Sequence, residues 1–318
     1  MRLHCDHRAT CAKNQSFVIR VWDAPAPLER GADIGYNTGM AEDYELIDSG
    51  DGRKFERFGK YTLVRPCSQA LWQPRNVSAW GRATATFDRE EGNHWRGRGA
   101  LPKEWVIETA GIKFKLSGTD FGHLGIFPEQ RAQWTWIRET VKGAFVQRGQ
   151  RPRVLNLFAY SGGSTLAAAL GGAEACHLDA SKGMVQWARD NAALNGLQEH
   201  PIRWITDDVH KFLRREIRRE RRYDAVIFDP PTFGRGANGE MYKIERDLKE
   251  TIDLVKGVLS ETPLFVLFSS HTPGLSCIVA ENIISQAFPS AKAVESGEML
   301  LEGRDRPCPS GIYCRAVF

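Results

Sequence analysis

From Tyr44 onwards the chain alternates between short apolar runs and polar, glycine-marked breaks, and the character of the runs changes part-way along. Over residues 44–47, 61–64, 82–87, 105–109 and 112–116 the runs are short and rich in aromatic and β-branched side chains, which predicts strands. Ala110-Gly111 supplies a hairpin turn between the last two. A helix is predicted over 134–145. Beyond it the pattern becomes a regular exchange of buried strands and amphipathic helices. Strands are predicted over 154–157, 175–178, 202–205, 223–228 and 264–268, with closing strands over 293–296 and 312–318. Helices are predicted over 165–170, 182–194, 210–222, 241–258 and 278–287. Val154, Leu155 and Leu157 suit a strand covered on both faces. Ser164 and Ser181 stand where helix caps are needed, and Gly171-Gly172 and Asn195-Gly196 where helices stop. The alternation gives an α/β fold with a seven-stranded, mostly parallel sheet. Three segments are expected: a poorly patterned tail over 1–40, a small, mainly β domain over 41–125, and the α/β domain over 126–318.

Composition narrows the class without naming a function. The 318 residues can build one large core with a smaller domain beside it. A hydrophobic fraction of 42% and a charged fraction of 26% are ordinary for a globular protein. The net charge is only +4, so any affinity for nucleic acid has to come from local patches. Arg214, Arg215, Arg218, Arg219, Arg221 and Arg222 form one such cluster. A solvated helix end explains them slightly better than a phosphate contact. No apolar run approaches a membrane span. The seven cysteines form no C-x-x-C pair, which speaks against a zinc site, and their odd number fits a reducing compartment. A cytoplasmic location is expected, and the arginines near the start leave an organelle address open. Trp72, Trp80, Trp95 and Trp105 read as core of the small domain rather than as stacking platforms.

The chemistry concentrates at the carboxyl ends of the predicted strands. After 154–157 comes Phe158-Ala159-Tyr160-Ser161-Gly162-Gly163-Ser164, a tight turn into a helix. The two glycines let backbone approach a ligand with no Cβ in the way. The strand over 175–178 ends in Asp179, sixteen residues after Gly163, about where a carboxylate meets ribose hydroxyls. Strand, glycine turn, helix, strand and acid make the first half of a nucleotide-binding unit. The strand over 223–228 runs into Asp229-Pro230-Pro231-Thr232-Phe233. Two prolines cannot continue a ladder, so they stiffen a loop where ligands bind in open α/β sheets.

Asn156-Leu157-Phe158-Ala159-Tyr160-Ser161-Gly162-Gly163-Ser164, Leu178-Asp179-Ala180-Ser181, Thr206-Asp207-Asp208-Val209 and Phe228-Asp229-Pro230-Pro231-Thr232-Phe233 together resemble a class I S-adenosylmethionine (SAM) methyltransferase. More narrowly, they resemble the group that includes the cytosine-C5 and guanine methyltransferases of large-subunit ribosomal RNA. Gly122-His123-Leu124-Gly125-Ile126-Phe127-Pro128-Glu129-Gln130-Arg131 matches that group's element before the catalytic domain. The resemblance covers roughly residues 43–318 and implies a Rossmann-like sheet whose last strand is antiparallel. It also implies SAM as the cofactor and RNA as the partner.

The candidate cofactor-binding residues are Phe127, Gln130, Asn156, Phe158, Ala159, Tyr160, Ser161, Gly162, Gly163, Asp179, Asp208, Val209 and Asp229. The backbone amides of 159–163 would hold the methionine part. Asp179 would accept the ribose hydroxyls. Asp208 would accept from the adenine amine and Val209 would donate its amide, with Asp207 as the rival carboxylate. Arg131 could pair with the methionine carboxylate. Asp229, Pro230, Pro231 and Phe233 form the candidate catalytic set, with Phe233 stacking on an exposed base. No metal is expected.

Methyl transfer from a sulfonium is mainly alignment, so it needs few acid–base groups. Cytosine-C5 enzymes also need a thiolate. In the resembling C5 enzymes a cysteine follows the strand that here ends Ser269-Ser270-His271, and Cys277 lies further on. A ring nitrogen such as guanine N7 fits the visible residues better. The favoured reading is therefore direct in-line methylation of a ribosomal RNA base. Protein or small-molecule methylation is the main alternative. A nicotinamide oxidoreductase and a non-catalytic RNA-binding protein fit less well. Both a monomer and a homodimer fit the chain.

Overall fold

The computed structural model describes residues 42–318 apart from 90–91, 237–238 and 305, so the tail expected over 1–40 lies outside the described residues. The chain first builds β1 (Tyr44–Gly50), β2 (Arg53–Phe58), β3 (Tyr61–Pro66), the one-turn helix α1 (Val77–Trp80), β4 (Ala85–Asp88) and β5 (His94–Arg96). These five strands pair in chain order, antiparallel except for β3 and β4. β2 carries alternate charges yet is mostly buried, which hid it in the hydrophobic pattern. Its Glu56 is buried and held by the Arg65 guanidinium through two bonds, 2.8 and 3.0 Å long, and by the Tyr44 hydroxyl at 2.9 Å. A buried charge held this way keeps its partners' geometry fixed.

A hairpin follows, β6 (Trp105–Thr109) and β7 (Ile112–Leu116), turning at Ala110-Gly111 as predicted. Both turn residues have positive φ, 50° and 69°, the conformation that such a turn demands. Trp80 and Trp95 are buried as expected of core residues, and Trp72 and Trp105 pack against the core.

The second half holds α2 (Arg131–Arg148), β8 (Arg153–Leu157), α3 (Gly163–Leu170), β9 (Glu174–Asp179), α4 (Lys182–Leu194), β10 (Ile202–Thr206), α5 (Val209–Arg218) and β11 (Ala225–Phe228). Then come β12 (Phe233–Arg235), β13 (Met241–Lys243), α6 (Ile244–Lys256), β14 (Phe265–Ser270), α7 (Cys277–Ala287), β15 (Ala293–Leu301) and β16 (Cys308–Val317). Seven strands form one sheet in the order β10-β9-β8-β11-β14-β16-β15. β8 through β11 and β14 run parallel, and β16 is antiparallel to both of its neighbours. The seven-stranded α/β sheet with a β-rich region before it is the fold expected. Every residue of β11 and β14 is buried, as strands flanked by helices on both faces must be.

Strand order reverses between β8 and β11, which opens a crevice at their carboxyl ends. One apolar core joins residues of the first sheet, such as Leu46 and Phe58, to Val154, Ala225 and Phe265 of the second.

Some boundaries differ from expectation. α3 begins two residues earlier than a Ser164 cap predicts, because Gly162 takes a left-handed conformation (φ 95°) and serves as the cap. α5 ends at Arg218 rather than 222, where Glu220 turns with φ 53°. Residues 241–243 are strand, not helix, because Met241–Lys243 pairs with Phe233–Arg235 in a small hairpin. Among the described residues no helix is long and apolar enough to cross a membrane.

Candidate active site

The loop after β8 is wound tightly. Phe158, Tyr160 and Gly162 have φ of 54°, 49° and 95°. Two non-glycine residues in that region carry strain, which the loop's own bonds must offset. Ala159 N donates to Leu178 O at 3.0 Å, Tyr160 N to Asp179 Oδ2 at 2.9 Å, and Gly162 N to Ala159 O at 3.0 Å. Three of the five amides of the cradle expected over 159–163 are thus already bonded, two of them to the end of β9 and one within the loop. Gly163 serves packing: a Cβ there would lie 2.6 Å from the Trp134 ring on α2. Asn156 is buried and donates to Thr165 Oγ1 at 2.9 Å. The Ser161 carbonyl accepts from Asn191 Nδ2 at 2.9 Å. Asn156 and Thr165 pin β8 to α3, and Asn191 pins the loop to α4.

Asp179 closes β9. Its Oδ2 takes the Tyr160 amide and its Oδ1 takes the Ser181 amide at 2.8 Å. Burial pushes its carboxyl above the usual range in spite of these donors. Asp208, at the end of β10, caps α5 by accepting from Lys211 N at 2.9 Å. Its neighbour Asp207 turns the other way and pairs with Arg215 at 2.7 Å. Of the two rival carboxylates, only Asp208 reaches the crevice.

The crevice is a cavity of 750 Å³. Phe127, Phe158, Tyr160, Asp179, Asp208, Val209, Asp229, Pro230 and Pro231 all line it. Gln130, Asn156, Ala159, Ser161, Gly162, Gly163 and Phe233 lie outside its lining. Phe233 opens the β12–β13 hairpin and is 49% exposed. Arg131 is spent at the start of α2, where it pairs with Glu42 at 3.4 Å and lies over the Tyr44 ring.

Two side chains from distant places meet at Asp229. Gln130 Nε2 donates to Asp229 Oδ2 at 3.0 Å and lies 3.1 Å from Ser269 Oγ. His271 Nδ1 lies 3.4 Å from Asp229 Oδ1, and His271 Nε2 lies 3.2 Å from Glu129 Oε1. Burial opposes a charge on this imidazole, but the Asp229 and Glu129 carboxylates outweigh it and raise its pKa to about 10. Burial acts against the Glu129 charge as well, and the His271 contact outweighs it, lowering that carboxyl to about 2. The result at neutral pH is an imidazolium held between two carboxylates. The Phe127 ring covers it, with centroids 5.0 Å apart, and also meets Tyr160 at 5.1 Å.

His271 and Glu129 were not singled out as site residues from sequence. The visible signal for His271 was only its place at the carboxyl end of a strand next to the switch point. Tyr242 and His210 also line the cavity. Tyr242 hid within a stretch read as helix.

His271 and Arg89 stand on the wall shared with a second cavity of 1170 Å³. This cleft runs between the first sheet (Arg53, Lys54, Cys67) and the end of the second (Ser270, Gly311, Ile312). The basic cluster on and after α5 is largely tied up: Arg214 pairs with Glu250, Arg215 with Asp207, and the Arg222 guanidinium donates to Gly257 O.

The model of the S-adenosylmethionine-dependent methyltransferase family matches residues 73–261, more than half of the chain. The chain belongs to this family. A solved SAM-dependent methyltransferase from Agrobacterium tumefaciens is 36% identical, aligns over 87% of this chain and 91% of its own, and superposes with a TM-score of 0.81. The ribosomal RNA large subunit methyltransferase K/L of Pseudoalteromonas translucida (strain TAC 125) is 32% identical over 265 residues. That match covers 82% of this chain but only 35% of the relative, so the chain corresponds to about a third of that protein's length. The ribosomal RNA large subunit methyltransferase K of Neisseria meningitidis serogroup B is 29% identical over 252 residues, 75% of this chain and 68% of the relative.

The family is one of methyltransferases that use SAM. The cavity suits that cofactor. It joins acidic side chains at the ends of β9 and β10 to an aromatic wall and a proline-stiffened loop. SAM supplies a methyl group on a positively charged sulfur, and the chain's task is to align an acceptor with it.

Proposed function

We propose that this methyltransferase modifies a base of ribosomal RNA by direct in-line transfer, acting where ribosomes are assembled in the cytoplasm. The observation that carries the reading is the meeting of two cavities at His271 and Arg89, one sized for a nucleoside cofactor and one a larger cleft flanked by Arg53 and Lys54. A single cofactor fills the first and leaves the second for an acceptor with a backbone. The names of the curated relatives support RNA as that acceptor.

In this reading Asp179 accepts the ribose hydroxyls, and Asp208 with the Val209 amide takes the adenine edge. Phe127, Phe158 and Tyr160 form the apolar wall. The methionine part meets the few loop donors that the turn after β8 leaves free. Asp229, Pro230 and Pro231 present the acceptor atom, with Gln130 and His271 fixing the Asp229 carboxylate. Phe233, exposed on its hairpin, stacks on the target base or its neighbour. A ring nitrogen such as guanine N7 suits the site: the chain has Ser269 and Ser270 where C5 chemistry would want a thiolate.

The test is nucleoside mass spectrometry of ribosomal RNA from cells with and without the gene. One methylated nucleoside should vanish, return with the wild type, and fail to return with Asp229→Ala. An unchanged RNA profile beside tight SAM binding by the purified chain would overturn the RNA reading in favour of protein or small-molecule acceptors.

A further inference from the structure

Cys67 and Cys308 are 241 residues apart in sequence, yet their sulfurs lie 3.1 Å from each other. Both are free thiols and both are buried. Cys67 follows β3 in the first sheet, and Cys308 opens β16 in the second. Cys67 also lines the 1170 Å³ cleft, as does Pro309 beside Cys308. The pair therefore joins the two walls of the cleft, and one of its members can be reached from it. The gap exceeds a disulfide bond by only about 1 Å, which side-chain rotation can close.

The surroundings set this pair apart. The Cys308 sulfur is in hydrogen-bond contact with the Cys67 sulfur, the Lys54 ammonium lies close by on β2, and together they overcome burial and lower the Cys67 thiol. Glu56, also on β2, acts weakly against them and is itself 3.3 Å from Lys54. Among the described residues, Cys176 and Cys314 have no second thiol bonded to them, and burial pushes them up to about 11 and about 12. A thiolate that is stabilised and reachable, with a second thiol in contact, is the arrangement of an oxidisable pair.

We propose that Cys67 and Cys308 are a peroxide-oxidisable dithiol whose disulfide staples the two walls of the cleft. The Cys67 thiolate attacks one oxygen of a hydroperoxide, the O–O bond breaks, and the leaving hydroxide takes a proton to become water. Cys67 is then a sulfenic acid. The Cys308 sulfur attacks it, the S–S bond forms, the S–O bond breaks, and the hydroxyl leaves as a second water with the Cys308 proton. Two thiols lose two electrons, and the peroxide gains them. The cleft is thereby held at one width, whatever acceptor it takes.

The test uses the full chain with stoichiometric hydrogen peroxide at neutral pH, followed by alkylation and peptide mapping. A Cys67–Cys308 cross-linked peptide should appear, at least about tenfold faster than any loss of the Cys176 or Cys314 thiol, and dithiothreitol should reverse it. With Cys308→Ser, dimedone should trap a sulfenic acid on Cys67. In the oxidised wild type, amide exchange over 67–70 and 308–312 should slow by about tenfold or more. Both cysteines remaining alkylatable, or Cys67 pairing with Cys277 instead, would overturn the site. A disulfide that leaves amide exchange unchanged would overturn the stapling.

Discussion

The two halves of the active-site crevice are built by different means. On the β8–β9–β10 side the key carboxylate, Asp179, is held by backbone amides of Tyr160 and Ser181, nineteen and two residues away. On the β11–β14 side, Asp229 is held by the side chains of Gln130, 99 residues earlier, and His271, beyond the end of β14. The first half is local and made of main chain. It forms wherever the strand–turn–helix unit forms. The second half is assembled from distant side chains and exists only once the whole sheet and the 3₁₀ turn at Pro128–Gln130 are in place. A site made this way is more exposed to single substitutions on its β11–β14 side.

That contrast can be broken most severely at His271. His271→Ala leaves Asp229 and Glu129 facing each other across an unfilled gap. Losing one partner of a buried pair costs about 3–5 kcal/mol, and because His271 is 29% exposed the lower end, about 3 kcal/mol, is expected. Thermal or urea unfolding measures it.

The same contact gives a pH signature. His271 is raised to about 10, so its stabilisation is complete below the unfolded value near 6.5 and is lost as pH rises through about 10. Glu129 is lowered to about 2, so its share is present above about 4.5 and is lost as pH falls through about 2. Wild type should therefore lose stability relative to His271→Gln between pH 7 and 10 (about one unit either side). Parallel melting curves would sink the ion-pair account.

On the main-chain side, Asp179→Ala should weaken SAM binding by about 1.5–3 kcal/mol, roughly 10- to 150-fold in Kd by calorimetry. Its effect on folding should be smaller than that of His271→Ala, because it removes two bonds from neutral amides rather than one member of a buried ion pair. The smallest effect is expected at Ser181, whose hydroxyl caps α4 by accepting from Met184 N at 3.3 Å. Ser181→Ala should cost about 1 kcal/mol, read as a small fall in the unfolding midpoint.

The same division explains what was legible in the sequence. Asp179 and the turn before it are recognisable because strand, glycine turn, helix and acid follow one another within a short stretch. Asp229 is recognisable because two prolines after an apolar strand mark a stiffened loop. His271 and Glu129 are not, because nothing local distinguishes a histidine that will sit between two distant carboxylates. The amide cradle over 159–163 is expected from the glycine turn at a helix start, and the sequence does not show that the amides of Ala159, Tyr160 and Gly162 bond within the protein. β2 escaped notice because its Lys54 and Glu56 are charged, and only their pairing with each other and with Arg65 of β3 lets them be buried. The hairpin of β12 and β13 escaped because residues 241–243 continue the apolar pattern of α6.

The placement of β16 between β14 and β15 has a consequence for the order of assembly. β15 precedes β16 in the chain but pairs only with it, so β15 cannot join the sheet until β16 has arrived. Until then β14, with six residues destined for burial, is an open edge able to template pairing with another chain. The strand that leads into His271 is thus protected by the segment that enters the sheet latest. A nascent chain halted before residue 308 would hold a nearly finished cofactor crevice beside a sticky, unpaired rim.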